Sequence, residues 1–361
     1  MIGLTYSPSD VVKEGGTIVF RSSNIQDGVI NYGDLVRVSK KIKDSIITRD
    51  GDLLICARNG STRLIGKNAL LKKSDEGQTF GAFMMVFRSI DNRFVHQLLS
   101  TKAYSTQVSE NLGARINQIT TRNFAEYTFG MPQTSEEKEK IGTFLELIND
   151  RIETQSKIIE ELTALRSALL EKVFQVSNPT LEVGAIAHQT SERNKLCRYS
   201  NVLSVSNRFG FINQSEQFED RNVASDDVRN YKVVHRGDFA YNPARINVGS
   251  IAMLKNFESG IVSPMYICFQ VDDTIVDPSF FELFLETKAF KDEMEIRLEG
   301  SVRRCLSFEA LCEIHLPRPA LLVQRSISDK IGNISSKIKL EDSVLRAYIR
   351  QKEWLLKQMF I

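Results

Sequence analysis

Stepping alternately four and three residues along the chain from Ile141 meets Leu145, Ile148, Ile152, Gln155, Ile159, Leu162, Arg166, Leu169 and Val173. Eight of these ten positions are apolar, the spacing of a heptad seam that buries one narrow stripe against a partner helix. At ~1.5 Å per residue the helix they predict, Ser135 to Phe174, is about 60 Å long. The same steps taken 186 residues later give Ile327, Ile331, Ile334, Ile338, Glu341, Leu345, Tyr348, Lys352, Leu355 and Met359. Eight of ten are again apolar or aromatic, and the two polar breaks fall at the same steps. Pro132 and Pro319 precede the two helices, and Thr134 with Glu137 has the spacing of a capping box.

Elsewhere the apolar residues fall in short runs rich in β-branched and aromatic side chains, separated by Gly, Asn and Asp. Gly16 to Phe20, Ile46 to Cys56 and Met84 to Phe87 read as strands joined by turns. A helical pattern follows over Arg93 to Asn111, and again over Pro278 to Leu298. This order is written twice. Thr101-Lys102-Ala103-Tyr104 returns as Thr287-Lys288-Ala289-Phe290, and Gly51-Asp52 as Gly237-Asp238, both 186 residues on. Gly28-Val29-Ile30-Asn31 matches Gly210-Phe211-Ile212-Asn213 at an offset of 182, as loop deletions would produce. The pattern predicts an α+β chain with an internal pseudo-two-fold repeat. A β-rich unit over 1–134 is followed by a long helix over 135–175, a second β-rich unit over 176–320 and a second long helix over 321–361.

Two copies of one unit related by a pseudo-two-fold would run their helices antiparallel. Centring each helix between its polar breaks sets Arg166 opposite Glu341 and Gln155 opposite Lys352, polar positions that would fix the register. The first helix carries nine acids and six bases from Ser135 to Phe174; the second carries four acids and seven bases from Ile327 to Ile361. These opposite net charges favour pairing within the chain, although the same seams could also join two chains.

The whole chain of 361 residues is nearly neutral, with 47 Lys and Arg against 45 Asp and Glu. That excludes a polycationic tail and an acidic disordered protein, while a local basic patch remains compatible with it. The longest nearly uncharged apolar run, Gly81 to Phe87, is far short of the ~20 residues that cross a bilayer, and the N-terminus has no secretory pattern. Five cysteines without a C-x-x-C pair read as reduced thiols of a cytoplasmic protein, and four scattered histidines give no metal site.

Apparent catalytic motifs fail on spacing. Gly60 to Lys67 has five residues between its glycines where a phosphate-binding loop has four, and Asn68 stands where Ser or Thr should hold magnesium. Tyr241-Asn242-Pro243-Ala244 lacks the second proline and stacking aromatic of an amino-methyltransferase loop. Asp52 and Asp238 follow glycine in repeated turns, where a carboxylate usually serves the backbone. No catalytic residue is therefore expected.

The loops of the β-rich units instead carry side chains suited to reading DNA. In the first unit these are Arg21, Ser22, Ser23 and Asn24, then Arg58, Asn59, Ser61 and Arg63, then Arg115 and Asn117. In the second they are Asn207, Arg208, Asn242, Arg245, Asn247, Arg303 and Arg304. Arg suits guanine edges, Asn suits adenine, and Ser suits phosphate. Such residues in turns are also commonly just solvated. Equivalent positions differ between the copies, Arg58-Asn59 against Ala244-Arg245, as two units with different targets require.

At this level the chain resembles the DNA-specificity subunit of type I restriction-modification systems. The likeness lies in Gly3 to Pro8, Val19 to Ile25, Tyr241 to Gly249 and the order unit, helix, unit, helix. The resemblance implies two target recognition domains, each reading one half of a bipartite asymmetric DNA site. It implies helices that set the gap between halves and dock two methylation subunits. It also implies that S-adenosylmethionine, ATP and Mg serve partner chains, the methylation subunits and the restriction (motor and nuclease) subunits, with double-stranded DNA as target. The second unit opens with Leu181 to Ile186, for which the first has almost no counterpart, so Met1 is expected to begin inside the first unit. A non-catalytic scaffold, with helices recruiting partners and β-rich units binding some other ligand, is the alternative.

Overall fold

The structure, a computed structural model, describes residues 3–112, 117–175, 179–207, 209–214, 227–300 and 304–360. The chain divides into two compact units, Met1–Lys157 with Asp342–Ile361, and Ile158–Glu341. Each unit thus owns one β-rich body and half of each long helix.

The first unit contains β1 (Val11–Val12), β2 (Thr17–Phe20), β3 (Ile25–Gln26), β4 (Val29–Ile30), β5 (Val36–Val38), β6 (Leu53–Cys56), β7 (Asn68–Leu70), β8 (Thr79–Phe80) and β9 (Met84–Phe87). Helices α1 (Asn92–Leu98), α2 (Lys102–Asn111) and α3 (Thr121–Glu126) follow, and then α4 (Ser135–Gln175). One sheet has the order β1-β5-β2-β8, and another places β6 between β7 and β9. Every residue of β6 is inaccessible to solvent, as a continuous apolar run requires when both faces are covered. Leu54 and Cys56 join the core under the first sheet, whereas Leu53 and Ile55 face the α2 residues Tyr104 and Val108.

The second unit repeats the plan. Its strands are β10 (Thr180–Glu182), β11 (Ala187–Thr190), β12 (Leu203–Ser206), β13 (Gly210–Asn213), β14 (Lys232–His235), β15 (Phe239–Tyr241), β16 (Ile251–Met253), β17 (Ser259–Val262), β18 (Ile267–Val271) and β19 (His315–Pro317). Its helices are α5 (Pro278–Glu286), α6 (Lys288–Arg297) and α7 (Phe308–Cys312), and α8 (Leu321–Met359) is divided between the two units as α4 is. β15 is the buried central strand, paired with β16 and β18 as β6 is with β7 and β9. Phe239 and Tyr241 pack on the helices while Ala240 faces the opposite core.

The repeated tetrapeptides have one explanation in both units. Thr101 accepts a hydrogen bond from the Tyr104 N–H, and Thr287 accepts one from Phe290. Each threonine is an N-cap in extended backbone, so each stretch expected as one helix is two helices broken at the cap. The repeated Gly-Asp pairs are turns. Gly51 and Gly237 adopt φ of 79° and 94°, and the aspartates that follow bond back to Arg49 N and His235 N at 2.9 and 2.8 Å. The buried carboxylates are completed by Arg88 in one unit and Gln270 in the other, 182 residues apart.

The long helices pair antiparallel within each unit. In the first, Leu145 and Ile148 of α4 pack on Leu356 of α8, and Arg151 stacks on Tyr348. In the second, Leu170 and Phe174 share a core with Ile331, and Arg166 Nε donates to Ser335 Oγ at 2.7 Å. The predicted seam is covered throughout, except that Leu169 is exposed and its neighbour Leu170 is buried instead.

The register differs from the expected one. Facing residue numbers sum to 499 for Arg151 and Tyr348 and to 501 for Arg166 and Ser335, while the expected pairs both sum to 507. A slip of one heptad leaves an apolar seam intact, so the seam alone does not select between the two. The polar positions are matched to the β-rich bodies. Arg166 forms a bidentate pair with Glu286 at the end of α5, at 2.8 and 3.0 Å. Glu341 pairs with Lys337 on its own helix. Lys352 is enclosed beside His96 and Asp27, and its burial lowers its pKa. Gln155 is buried within the seam.

Candidate nucleic-acid interface

In the first unit the loop leaving β6 gathers half of the expected DNA-facing side chains. The N–H groups of Ala57 and Arg58 both donate to the carbonyl of Phe83, at 2.9 and 3.0 Å. Asn59 Nδ2 donates to Ser22 Oγ at 2.9 Å, and Asn59 Oδ1 accepts from Ser61 N at 2.9 Å. Arg58 bridges to Gln118, and Asn117 Nδ2 reaches the Gly60 carbonyl at 3.5 Å. Ser22, Arg58, Asn59, Ser61 and Asn117 thus form one polar surface from three separate stretches of chain. Arg58 is exposed over the Phe83 ring at 5.2 Å, so its donors remain open to solvent. Arg63 and Ser23 are exposed nearby in sequence. Below the loop, burial pushes the Cys56 thiol up to about 11, which keeps it a neutral packing group.

Two expected readers serve the scaffold instead. Asn24 is completely buried. Its Oδ1 accepts from Arg21 N at 2.9 Å, and its Nδ2 donates to the carbonyls of Asn31 and Asp34 at 3.2 and 2.9 Å. Those bonds close the loop that carries the β3–β4 hairpin and leave the amide nothing to offer a base. Arg21 turns the same way, pairing with the Asp34 carboxylate at 2.7 Å.

The second unit builds its surface from the loop leaving β15. Asn242 N donates to the Ser250 carbonyl at 3.1 Å, and Asn242 Oδ1 accepts from Ala244 N at 3.1 Å. Gly249 closes the loop with φ of 86°, where a side chain would meet Asn207. Asn207, Arg245, Asn247 and Val248 are exposed around this loop. Arg304 points elsewhere, holding Glu295 of α6 through its carboxylate and its carbonyl. Arg115, Arg208 and Arg303 lie outside the described residues. Two exposed apolar side chains that polar spacing passes over lie beside these loops, Phe83 under Arg58 and Met265, whose Sδ accepts from Asn242 Nδ2 at 3.5 Å.

Among the described residues no cluster of three or more His, Cys, Asp or Glu could hold a metal ion. No helix among them is long and apolar enough to cross a membrane. Residues 3–164 match the model of the type I restriction modification DNA specificity domain. Consistent with it, the chain is similar to the specificity subunit of the type I restriction enzyme EcoKI of Escherichia coli strain K12, 29% identical over 179 residues. That stretch is 46% of this chain and 38% of the relative. The StySPI specificity subunit of Salmonella potsdam is 29% identical over 160 residues, 42% of this chain and 34% of that one. The chain therefore aligns with under two fifths of the length of these curated relatives. The crystal structure of the type I restriction-modification S subunit from M. genitalium shares the fold over 100% of this chain and 93% of its own, with a TM-score of 0.65 at 17% identity. The chain is thus similar to DNA-specificity subunits of type I restriction-modification systems over part of its length, and it shares the α+β fold of the M. genitalium S subunit.

Proposed function

We propose that the chain reads DNA sequence for a type I restriction-modification enzyme and catalyses nothing itself. The observation that carries this reading is the pair of polar loop surfaces. Both follow the buried central strand of their unit, β6 or β15, yet one offers Arg58, Asn59 and Asn117 while the other offers Asn207, Arg245 and Asn247. One framework with two sets of hydrogen-bonding side chains suits a bipartite, asymmetric site in double-stranded DNA, one half for each unit.

The long helices set the gap between halves and dock two methylation subunits. Supporting this are large apolar side chains left exposed on them, Phe144, Leu147 and Leu165 on α4 and Leu340 and Trp354 on α8. S-adenosylmethionine, ATP and Mg, and the motor and nuclease activities, belong to partner chains in the cytoplasm. Mapping methylated adenines across the genome in cells with and without this chain tests the reading. Loss of methylation at one bipartite sequence is expected. An unchanged map, or DNA binding that ignores rising salt, would instead favour a scaffold that binds another ligand.

A further inference from the structure

Two large apolar side chains stand exposed at one topological position in the two units. Phe83, 58% exposed, lies in the turn before β9, and Met265, 61% exposed, lies in the turn before β18. Strand register makes them equivalent. Met85, two residues after Phe83, pairs with Ile55, and Ile267, two residues after Met265, pairs with Tyr241, which is 186 positions from Ile55. Single exposed apolar residues are common on protein surfaces. Here the exposure recurs at a repeated position, and in each unit the side chain rests against the polar loop. The Arg58 guanidinium lies 5.2 Å from the Phe83 ring, and the Phe83 carbonyl clamps the loop through Ala57 N and Arg58 N. Asn242 Nδ2 donates to Met265 Sδ at 3.5 Å, in the loop that presents Arg245 and Asn247.

We propose that Phe83 and Met265 are specificity-determining side chains, each seated against the C5-methyl group of a thymine in the major groove of its half-site. The inference rests on the DNA-reading function proposed above. The thymine methyl is the apolar feature of base-pair edges in that groove, and large apolar side chains beside hydrogen-bonding ones are what reading it requires. Arg58, stacked on Phe83, keeps its N–H edge for a guanine at a neighbouring pair. Phe83 is held flat under Arg58 while Met265 has a flexible thioether, so the first half-site demands thymine more strictly than the second.

The full chain, as parent, Phe83→Ala or Met265→Ala, is used to select duplexes from a randomised pool, and the selected duplex is remade with uracil for thymine. Uracil removes only the C5-methyl. At one position in one half it should weaken the parent roughly four-fold, the equivalent of one buried CH₂. Phe83→Ala should bind the two duplexes equally at that position, and Met265→Ala should do so at one in the other half. Phe83→Leu, which keeps apolar bulk, should retain the preference. If the parent selects a sequence and both alanine variants keep the uracil penalty, the assignment fails while the DNA-reading function stands. If the variants lose selectivity although uracil and thymine bind the parent alike, the side chains act as wedges and the methyl contact is overturned. A parent that selects no sequence refutes the DNA-reading function and this inference with it.

Discussion

Arg166 Nε donates to Ser335 Oγ at 2.7 Å, while its two terminal nitrogens grip the Glu286 carboxylate. One side chain thereby ties α4 to α8 and to the end of α5 in the second unit. The guanidinium is mostly covered and Glu286 is about half exposed, so the pair is neither a solvated surface bridge nor a deeply buried one. Arg166→Glu should lower the melting temperature by placing two carboxylates together. Adding Glu286→Arg should recover part of the loss, and adding Glu341→Arg should recover none. Thermal unfolding of the four proteins decides between the observed register and the one centred on Glu341.

Asn24 and Arg58 are both polar loop residues, yet Asn24 is fully buried and Arg58 is exposed. Asn24→Ala strips three hydrogen bonds from a fully buried site, taking the side-chain partner from the Arg21 N–H and the Asn31 carbonyl and leaving the Asp34 carbonyl only its 3.3 Å bond from Arg21, at a cost of about 2–3 kcal/mol. Arg58→Ala removes an exposed stacking contact, for which about 0.5–1 kcal/mol is the usual scale. Denaturant unfolding should therefore separate the two variants clearly. DNA selection by Asn24→Ala at low temperature should keep the parent's base preferences, and that by Arg58→Ala should not.

His96 is buried between the β3–β4 turn and Lys352, and burial pushes it down to about 4 from its ordinary 6.5. Lys352 and Asp27 are the charged groups that meet there, and α8 supplies the lysine. Between about pH 6.5 and 4 the unfolded chain takes up a proton that the native chain refuses. Stability from this residue is thus full above pH 6.5 and lost as pH falls toward 4, by on the order of 3 kcal/mol. A His96→Gln variant should show a shallower fall in stability over that interval than the parent. Equal slopes in pH-dependent denaturant unfolding would contradict the buried neutral imidazole.

Much of the architecture was legible because it repeats. The heptad seams, the threonine caps and the Gly-Asp turns recur at one offset, and each local rule has one structural solution. The register of α4 on α8 was not legible, since a one-heptad slip sets apolar seam positions against apolar ones again and the deciding contact, Arg166 with Glu286, comes from a helix outside the pair. The candidate DNA surface was legible by residue type only. Asn24 and Asn59 look alike in sequence, and only folding shows that one braces a hairpin while the other fronts a loop. Phe83 and Met265, proposed above to meet thymine, were not legible because a search for polar readers passes over apolar side chains.

The central claim is that each unit reads its own half of one DNA site, and paired substitutions test it most directly. Arg58→Ala and Arg245→Ala are exposed changes in equivalent loops of the two units. Sequencing the duplexes that each full-length variant selects from a randomised pool should show preference relaxed in one half for Arg58→Ala and in the other half for Arg245→Ala. Each loss should be ~1–3 kcal/mol for a good bidentate contact. Both variants weakening all sequences uniformly, or both relaxing the same half, would contradict the account.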